Sequence, residues 1–291
     1  MVKQVDFILH GAKQLIIFTD LDGTLLDHHT YDFTPAKQAL QQIQQENIPL
    51  ILTSSKTASE MLQWSRKLGI TAPFIFENGG GIAFPLRSKY LPEKVRPFDN
   101  YQLWIPGPDY TAIRQILNNL HSFFRFRGFW DMSLEEISQL THLSQHDAQA
   151  AKQRLASEPI VWEDTPQKLE QFGTVLKKHH LQLLTGGRFY HVLGDNMDKG
   201  KAVQFITNWY QKIEGFRRTS IAVGDSPNDL PMLEAADIPI VVQRADGSYM
   251  PHLPPHTIRA PGRGPQGWNT ALLTILSQWK NHNSTNEQGD S

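Results

Sequence analysis

Short apolar runs separated by amphipathic stretches restrict what this chain can fold into. Leu15-Ile16-Ile17-Phe18, Leu50-Ile51-Leu52-Thr53 and Phe74-Ile75-Phe76 follow one another, with a helical pattern in each interval. Thr34-Pro35 opens the first helix with proline at its first position. Thr57-Ala58-Ser59-Glu60 is a capping box for the second. Strands that are apolar throughout are strands buried on both faces, which is the state of a parallel sheet. A strand-helix-strand-helix-strand order therefore predicts an α/β fold with a doubly wound parallel sheet. The rhythm returns late in the chain, with a helix over Lys199–Ile213, a strand at Ser220–Val223, a helix at Leu230–Ala236 and a strand at Ile238–Val242. Gly267–Trp279 reads as a last amphipathic helix.

Between these two halves the pattern changes. From about Pro85, prolines and aromatics become frequent, and separate helices (Tyr110–Phe124, Ser144–Leu155, Gln167–His179) stand beside strand-like pieces (Pro159–Trp162, Leu181–Leu184, Arg188–Leu193). This predicts an inserted α+β segment. The expected division is 1–84 and 194–280 for the two parts of one domain, 85–193 for the insert, and 281–291 for a polar, disordered tail.

Composition narrows the function. With 291 residues, 40% of them apolar, the chain can bury a sizeable core. A formal net charge of −1 argues against nucleic acid as a partner, since such binders are basic. There are no cysteines, which excludes disulfides and thiolate metal sites and fits a reducing compartment. The first residues lack a signal-peptide core, and no apolar run is long enough for a membrane span. The cytoplasm is the expected location, with no membrane partner; the oligomeric state is not readable.

The polar residues that close the apolar runs carry the chemistry. Phe18-Thr19-Asp20-Leu21-Asp22-Gly23-Thr24 places two carboxylates at a strand end with a glycine turn behind them. Side chains there face the crevice in which open α/β sheets bind ligands, and anionic oxygens suit Mg²⁺. A solvated Asp-x-Asp-Gly turn fits the same residues. Gly224-Asp225-Ser226-Pro227-Asn228-Asp229 repeats the arrangement after another strand, beside a helix start that favours anions. Lys199 opens a helix and is either a site cation or an ordinary surface lysine. Ser54, after the second strand, offers a hydroxyl to a phosphoryl oxygen or simply belongs to the helix cap.

Taken in order, Asp-x-Asp-Gly-Thr, a strand-end Ser, a Lys and Gly-Asp-Ser-x-Asn-Asp resemble the haloacid dehalogenase-like phosphohydrolase superfamily. Further segments narrow the match: Ser54-Ser55-Lys56-Thr57, Glu77-Asn78-Gly79-Gly80, Arg127-Gly128-Phe129 with Asp131-Met132-Ser133, Gly187-Arg188-Phe189-Tyr190-His191, and Gly264-Pro265-Gln266-Gly267-Trp268-Asn269. Together they resemble the mannosyl-3-phosphoglycerate phosphatase family over roughly Leu15 to Leu276. Broader sugar phosphatases often carry Gly-Arg where this chain has Ser55-Lys56. The resemblance implies a Rossmann-like core with a cap domain hinged over its catalytic face, and a small phosphosugar substrate. It implies Asp20 as nucleophile and Asp22 as acid and base. Mg²⁺ would be held by Asp20, the Asp22 carbonyl, Asp225 and Asp229. Lys199 and Ser54 would hold the phosphoryl group, and Asn228 would position Lys199. Ser55, Lys56, Arg188, His191 and Asn228 complete the substrate-binding set, with Arg188 the candidate for a glycerate carboxylate. The product would be mannosylglycerate, a compatible solute. A glucosyl substrate, another sugar phosphate, or a non-catalytic phosphosugar-binding role are the rival readings.

Other residues attract functional readings that the residues themselves do not favour. Gly79-Gly80-Gly81 lacks the frame of a dinucleotide site. His142, His146, His179 and His180 have no metal-ligand spacing and are expected in solvent. Phe124-Arg125-Phe126-Arg127 reads as a two-faced strand rather than an RNA platform. Trp64 and Trp209 are expected in the core. Gln243-Arg244, after the last core strand, could reach an anion.

Overall fold

The computed structural model describes residues 14–186 and 188–287. The opening residues and Gly187, on which parts of the sequence reading rest, lie outside them. The chain divides into two compact units: one runs up to Thr53 and resumes at Lys199, and the other is Ser54–Asp198. Among the described residues no helix is long and apolar enough to cross a membrane.

Strands are numbered along the chain. β1 is Leu15–Thr19, β2 Leu50–Thr53, β3 Phe74–Phe76, β4 Gly81–Pro85, β5 Arg96–Phe98 and β6 Tyr101–Trp104. β7 is Phe126–Gly128, β8 Ser157–Trp162, β9 Leu181–Thr185, β10 Tyr190–Gly194, β11 Thr219–Gly224, β12 Ile238–Gln243 and β13 Ile258–Arg263.

In the first unit β13, β12, β11, β1 and β2 lie side by side in that order, and every pairing is parallel. All five residues of β1 are buried, as an uninterrupted apolar run in a parallel sheet requires. The helix Gly264–Glu287 packs against Lys37–Gln45, and Lys199–Glu214 against Leu230–Ala235, which gives the doubly wound arrangement. From β1 the chain crosses to β2 on one side, while β11 pairs on the other. The strand order thus reverses between β1 and β11, where ligand crevices form at the carboxyl ends. Thr19 is level with Val223, so Asp20 and Asp225 follow their strands into that position.

The second unit is α+β. β3, β4, β6 and β5 form an antiparallel meander, which the sequence reading did not separate from the parallel rhythm. β7, β8, β10 and β9 form an antiparallel sheet. The helices Tyr110–Leu120 and Pro166–Lys178 close its core, which includes Leu117, Phe126, Ile160, Phe172 and Val192. Phe124 and Phe126 are buried, while Arg127 pairs with Glu136 and Glu163 outside, as a two-faced strand predicts.

Several expectations are corrected. The last helix begins at Gly264 and runs to Glu287, so 281–287 is helical rather than a disordered tail; residues 288–291 lie outside the described set. β13 was not anticipated: its sequence, Ile-Arg-Ala-Pro-Gly-Arg, alternates around a proline and a glycine and reads as loop. Trp209 is buried, but Trp64 is only half-buried, with the Lys67 ammonium 4.4 Å over its ring. The four histidines are exposed.

Candidate active site

Three aspartates and a lysine meet at the switch point of the first unit. Nζ of Lys199 donates to Oδ1 of Asp20 and to Oδ1 of Asp229, each at 2.7 Å. Lys199 is 1% exposed, so the surface-lysine alternative is excluded. Its helix can start here because Gly200 has no side chain: a Cβ there would come 2.3 Å from the Pro231 carbonyl oxygen. The long lysine stem then reaches its partners inside the fold.

Asp229 organises the loop after β11. Its Oδ2 accepts from the Asp225 and Ser226 backbone N–H groups at 3.0 and 3.1 Å, while Oδ1 takes the lysine. Both oxygens are therefore engaged. The positioning of Lys199 expected of Asn228 falls to Asp229, while Oδ1 of Asn228 accepts from the Ser226 hydroxyl. Asp225 is fixed differently: Thr24 Oγ1 donates to its Oδ1 at 3.0 Å, and its Oδ2 takes no hydrogen bond from the described residues. Arg244 Nε donates to the Asp225 carbonyl at 3.2 Å. Asp22 lies half-buried on the turn after Asp20, and Gly23 makes that turn at φ +82°.

The electrostatics follow from burial. Asp20 is held well above the usual carboxylate range, first by desolvation and then by Asp229, against the pull of Lys199. Asp225 is pushed up to about 7, chiefly by burial and then by Asp229. Burial draws the Lys199 ammonium down, but Asp20 and Asp229 more than offset this and raise it. One ammonium thus serves three buried aspartates, an excess of negative charge that calls for a further cation.

The donor set fits a hard divalent ion. Asp20, Asp225 and Asp229 offer buried carboxylate oxygens within 4.8 Å of one another, and such oxygens suit Mg²⁺ rather than a soft metal. Gly23 keeps the space beside Asp225 open, since a Cβ there would lie 2.9 Å from Oδ2.

Two residues that hold the site escaped the sequence reading. Thr24 closes the Asp-x-Asp-Gly-Thr motif and orients Asp225. Trp268, fully buried, donates through Nε1 to Thr19 Oγ1 at 2.9 Å, next to the Asp20 backbone. Gly264 packs close against the Gly23 carbonyl, so the Gly-Pro-Gln-Gly-Trp-Asn segment braces the Asp-x-Asp turn from behind.

The remaining candidates belong to the second unit. Ser54 is buried; its Oγ accepts from Lys56 N–H and its own proton is not spent on a described residue. Ser55 is half-buried and Lys56 buried. His191 is buried on β10. Arg188 is exposed, and its Nη1 donates to the Leu140 and Thr141 carbonyls at 3.2 and 2.9 Å, the end of the helix Leu134–Thr141.

Residues 17–252 match the family model for haloacid dehalogenase-like hydrolases. A glucosyl-3-phosphoglycerate/mannosyl-3-phosphoglycerate phosphatase from Methanococcoides burtonii is 40% identical over 272 residues, covering 92% of this chain and 98% of that one. A protein of the same name from Persephonella marina is 36% identical over 264 residues, covering 91% and 98%. The fold is similar to that of a Thermoplasma acidophilum protein (TM-score 0.65, 15% identity, 90% of this chain and 98% of that one). It is also similar to the sucrose-phosphatase of Synechocystis sp. PCC6803 (TM-score 0.61, 15% identity, 90% and 98%). The chain belongs to the haloacid dehalogenase-like hydrolase family and is a phosphomonoester hydrolase.

Proposed function

We propose that this enzyme is a Mg²⁺-dependent phosphatase that converts mannosyl-3-phosphoglycerate to mannosylglycerate and phosphate through an aspartyl-phosphate on Asp20. The observation that carries the reading is the buried contact of Lys199 with both Asp20 and Asp229 beside Asp225. The substrate class rests on the two relatives, whose shared name covers the glucosyl and mannosyl compounds alike. Glucosyl-3-phosphoglycerate is therefore the second reading.

Asp20, the Asp22 carbonyl and Asp225 would hold the divalent ion, with Asp229 behind them. When bound, that ion neutralises charge between a carboxylate and a phosphate dianion. A carboxylate oxygen of Asp20 attacks phosphorus as the P–O bond to the substrate breaks, and Asp22 gives its proton to the leaving oxygen. Asp22, now ionised, takes a proton from the water that cleaves the Asp20–phosphoryl bond. Lys199 holds a phosphoryl oxygen and keeps Asp20 oriented. The Ser54 hydroxyl donates to another oxygen, Ser55 and Lys56 line the same loop, and Arg188 and His191 are assigned to the rest of the substrate.

Phosphate release from the two sugar substrates, measured side by side with sucrose phosphate as control, tests the assignment. A kcat/KM for sucrose phosphate equal to those of the phosphoglycerates would refute the substrate class. Binding without turnover would return the chain to a phosphosugar-binding role.

A further inference from the structure

The segment Glu77-Asn78-Gly79-Gly80 turns the chain between β3 and β4, and its purpose is not explained by the reaction. Glu77 and Asn78 are consecutive non-glycine residues in the left-handed region, at φ +51° and +57°. The left-handed region is strained for a residue with a side chain, and such strain persists only where the surroundings over-determine it.

The surroundings do so. Glu77 is completely buried. Its carboxylate accepts from the Leu155 and Ala156 N–H groups at 2.8 and 2.9 Å and from the Ser157 hydroxyl at 2.8 Å. Arg154, also buried, lies with Nε 3.5 Å from the same carboxylate. Gly80 lets the turn sit against this segment, since a Cβ would be 2.9 Å from that of Ala156.

The turn and the arginine then converge on one tripeptide. Asn78 N–H donates to the Ser54 carbonyl at 2.9 Å. Arg154 Nη2 donates to the Ser55 carbonyl at 3.1 Å. Glu77 N–H donates to the Lys56 carbonyl at 2.9 Å. Three successive carbonyls are each drawn onto a donor. A loop that receives an anion must present donors to it and turn its carbonyl dipoles elsewhere. Ser54 meets that condition, because its Oγ accepts from Lys56 N–H and its proton stays available.

We infer that the buried Glu77–Arg154 pair, with the strained Glu77-Asn78 turn, is the positioning device that turns the Ser54–Lys56 carbonyls away and readies this loop for a phosphoryl group. The inference rests on the assignment of Ser54 to the phosphoryl group made above. Glu77 and Arg154 act through the loop and touch no substrate.

The test is inhibition by inorganic phosphate, with p-nitrophenyl phosphate as reporter substrate, in wild type, Arg154→Lys, Ser54→Ala and the double variant. Arg154→Lys keeps a cation beside Glu77 but loses the planar fork that serves Ser55 and Ser157 together. It should raise the inhibition constant roughly 10- to 150-fold, the loss of one charge-assisted bond. The Mg²⁺ concentration for half activation should stay within about twofold, because the partners of Arg154 are Ser55, Ser157 and Glu77 and include no metal ligand. In the Ser54→Ala background the same change should cost less than about twofold. Glu77→Gln serves as a second variant, with the same expectation. An unchanged inhibition constant with only a lower melting temperature would reduce the pair to a fold staple and overturn the inference, as would full additivity with Ser54→Ala. If Ser54→Ala alone leaves phosphate inhibition unaltered, it is the phosphate assignment of Ser54 that fails.

Discussion

Oδ1 of Asp20 and Nζ of Lys199 lie 2.7 Å apart, 179 positions distant in sequence, and both side chains are buried. A buried ion pair is fragile when one partner is removed, because the other charge is left uncompensated. Here the lysine also screens Asp229. Lys199→Met should therefore lower stability by about 3–5 kcal/mol in urea titrations and reduce kcat by more than about 100-fold. The stability loss should shrink in acid, where the orphaned carboxylates take up protons. A stable and fully active methionine variant would refute the role of the lysine.

Asp20→Asn should separate chemistry from folding. The amide matches the carboxylate in size and removes a charge that burial already disfavours. The variant should remain folded by circular dichroism while turnover falls by at least about 10³-fold. Retention of a tenth of the wild-type rate would exclude the aspartyl-phosphate route.

The metal-free protein should show a pH signature at Asp225. Its folded carboxyl titrates near 7, above the unfolded value, so the folded state binds this proton more tightly. The associated stability is full below the unfolded pKa and is lost as pH rises through about 7. Asp225→Asn, which cannot ionise, should match wild type only at the acid end, below the unfolded value of 3.8. It should exceed it at pH 8 by on the order of a few kcal/mol, since one unit is about 1.4 kcal/mol. A constant difference between the two proteins across this range would contradict the assignment.

Chelation should abolish activity and Mg²⁺ should restore it, with Mn²⁺ or Co²⁺ as possible substitutes. At about 100 times its dissociation constant the ion should add roughly 2.7 kcal/mol to stability. This gain should be larger at pH 8 than at pH 6, because Asp225 must lose its proton to bind. Full turnover in a rigorously metal-free sample would rule the ion out.

Arg188 has two measurable roles. Its bonds to the Leu140 and Thr141 carbonyls cap a helix end, so Arg188→Ala should cost about 0.5–1.5 kcal/mol of stability. If the guanidinium also holds a carboxylate, kcat/KM for the phosphoglycerate substrate should fall about 10- to 200-fold. p-Nitrophenyl phosphate, which has no carboxylate, should be unaffected. Equal losses on both substrates would leave only the structural role.

The buried parallel strands, the Thr57 capping box and the two aspartate clusters at strand ends are legible in the residues alone. Those features are local: burial on both faces writes itself as the uninterrupted run Leu15–Phe18, and a sharp turn as Gly23. What the clusters do together is set by packing between distant parts of the chain. Lys199 looks like any helix-start lysine until the sheet order brings β1 and β11 side by side and Gly200 admits its helix against Pro231. Thr24 became the holder of Asp225, and Trp268 the brace of Thr19, through partners more than 200 positions away. The division of labour between Asn228 and Asp229, one residue apart, was set by which side chain the short turn after Pro227 directs inward. Likewise the antiparallel order of β3 to β6 leaves no mark in the sequence, because it depends on partners that no local pattern names. Short-range chemistry specifies which residues are buried or turned, while strand order and crossover geometry specify which of them meet.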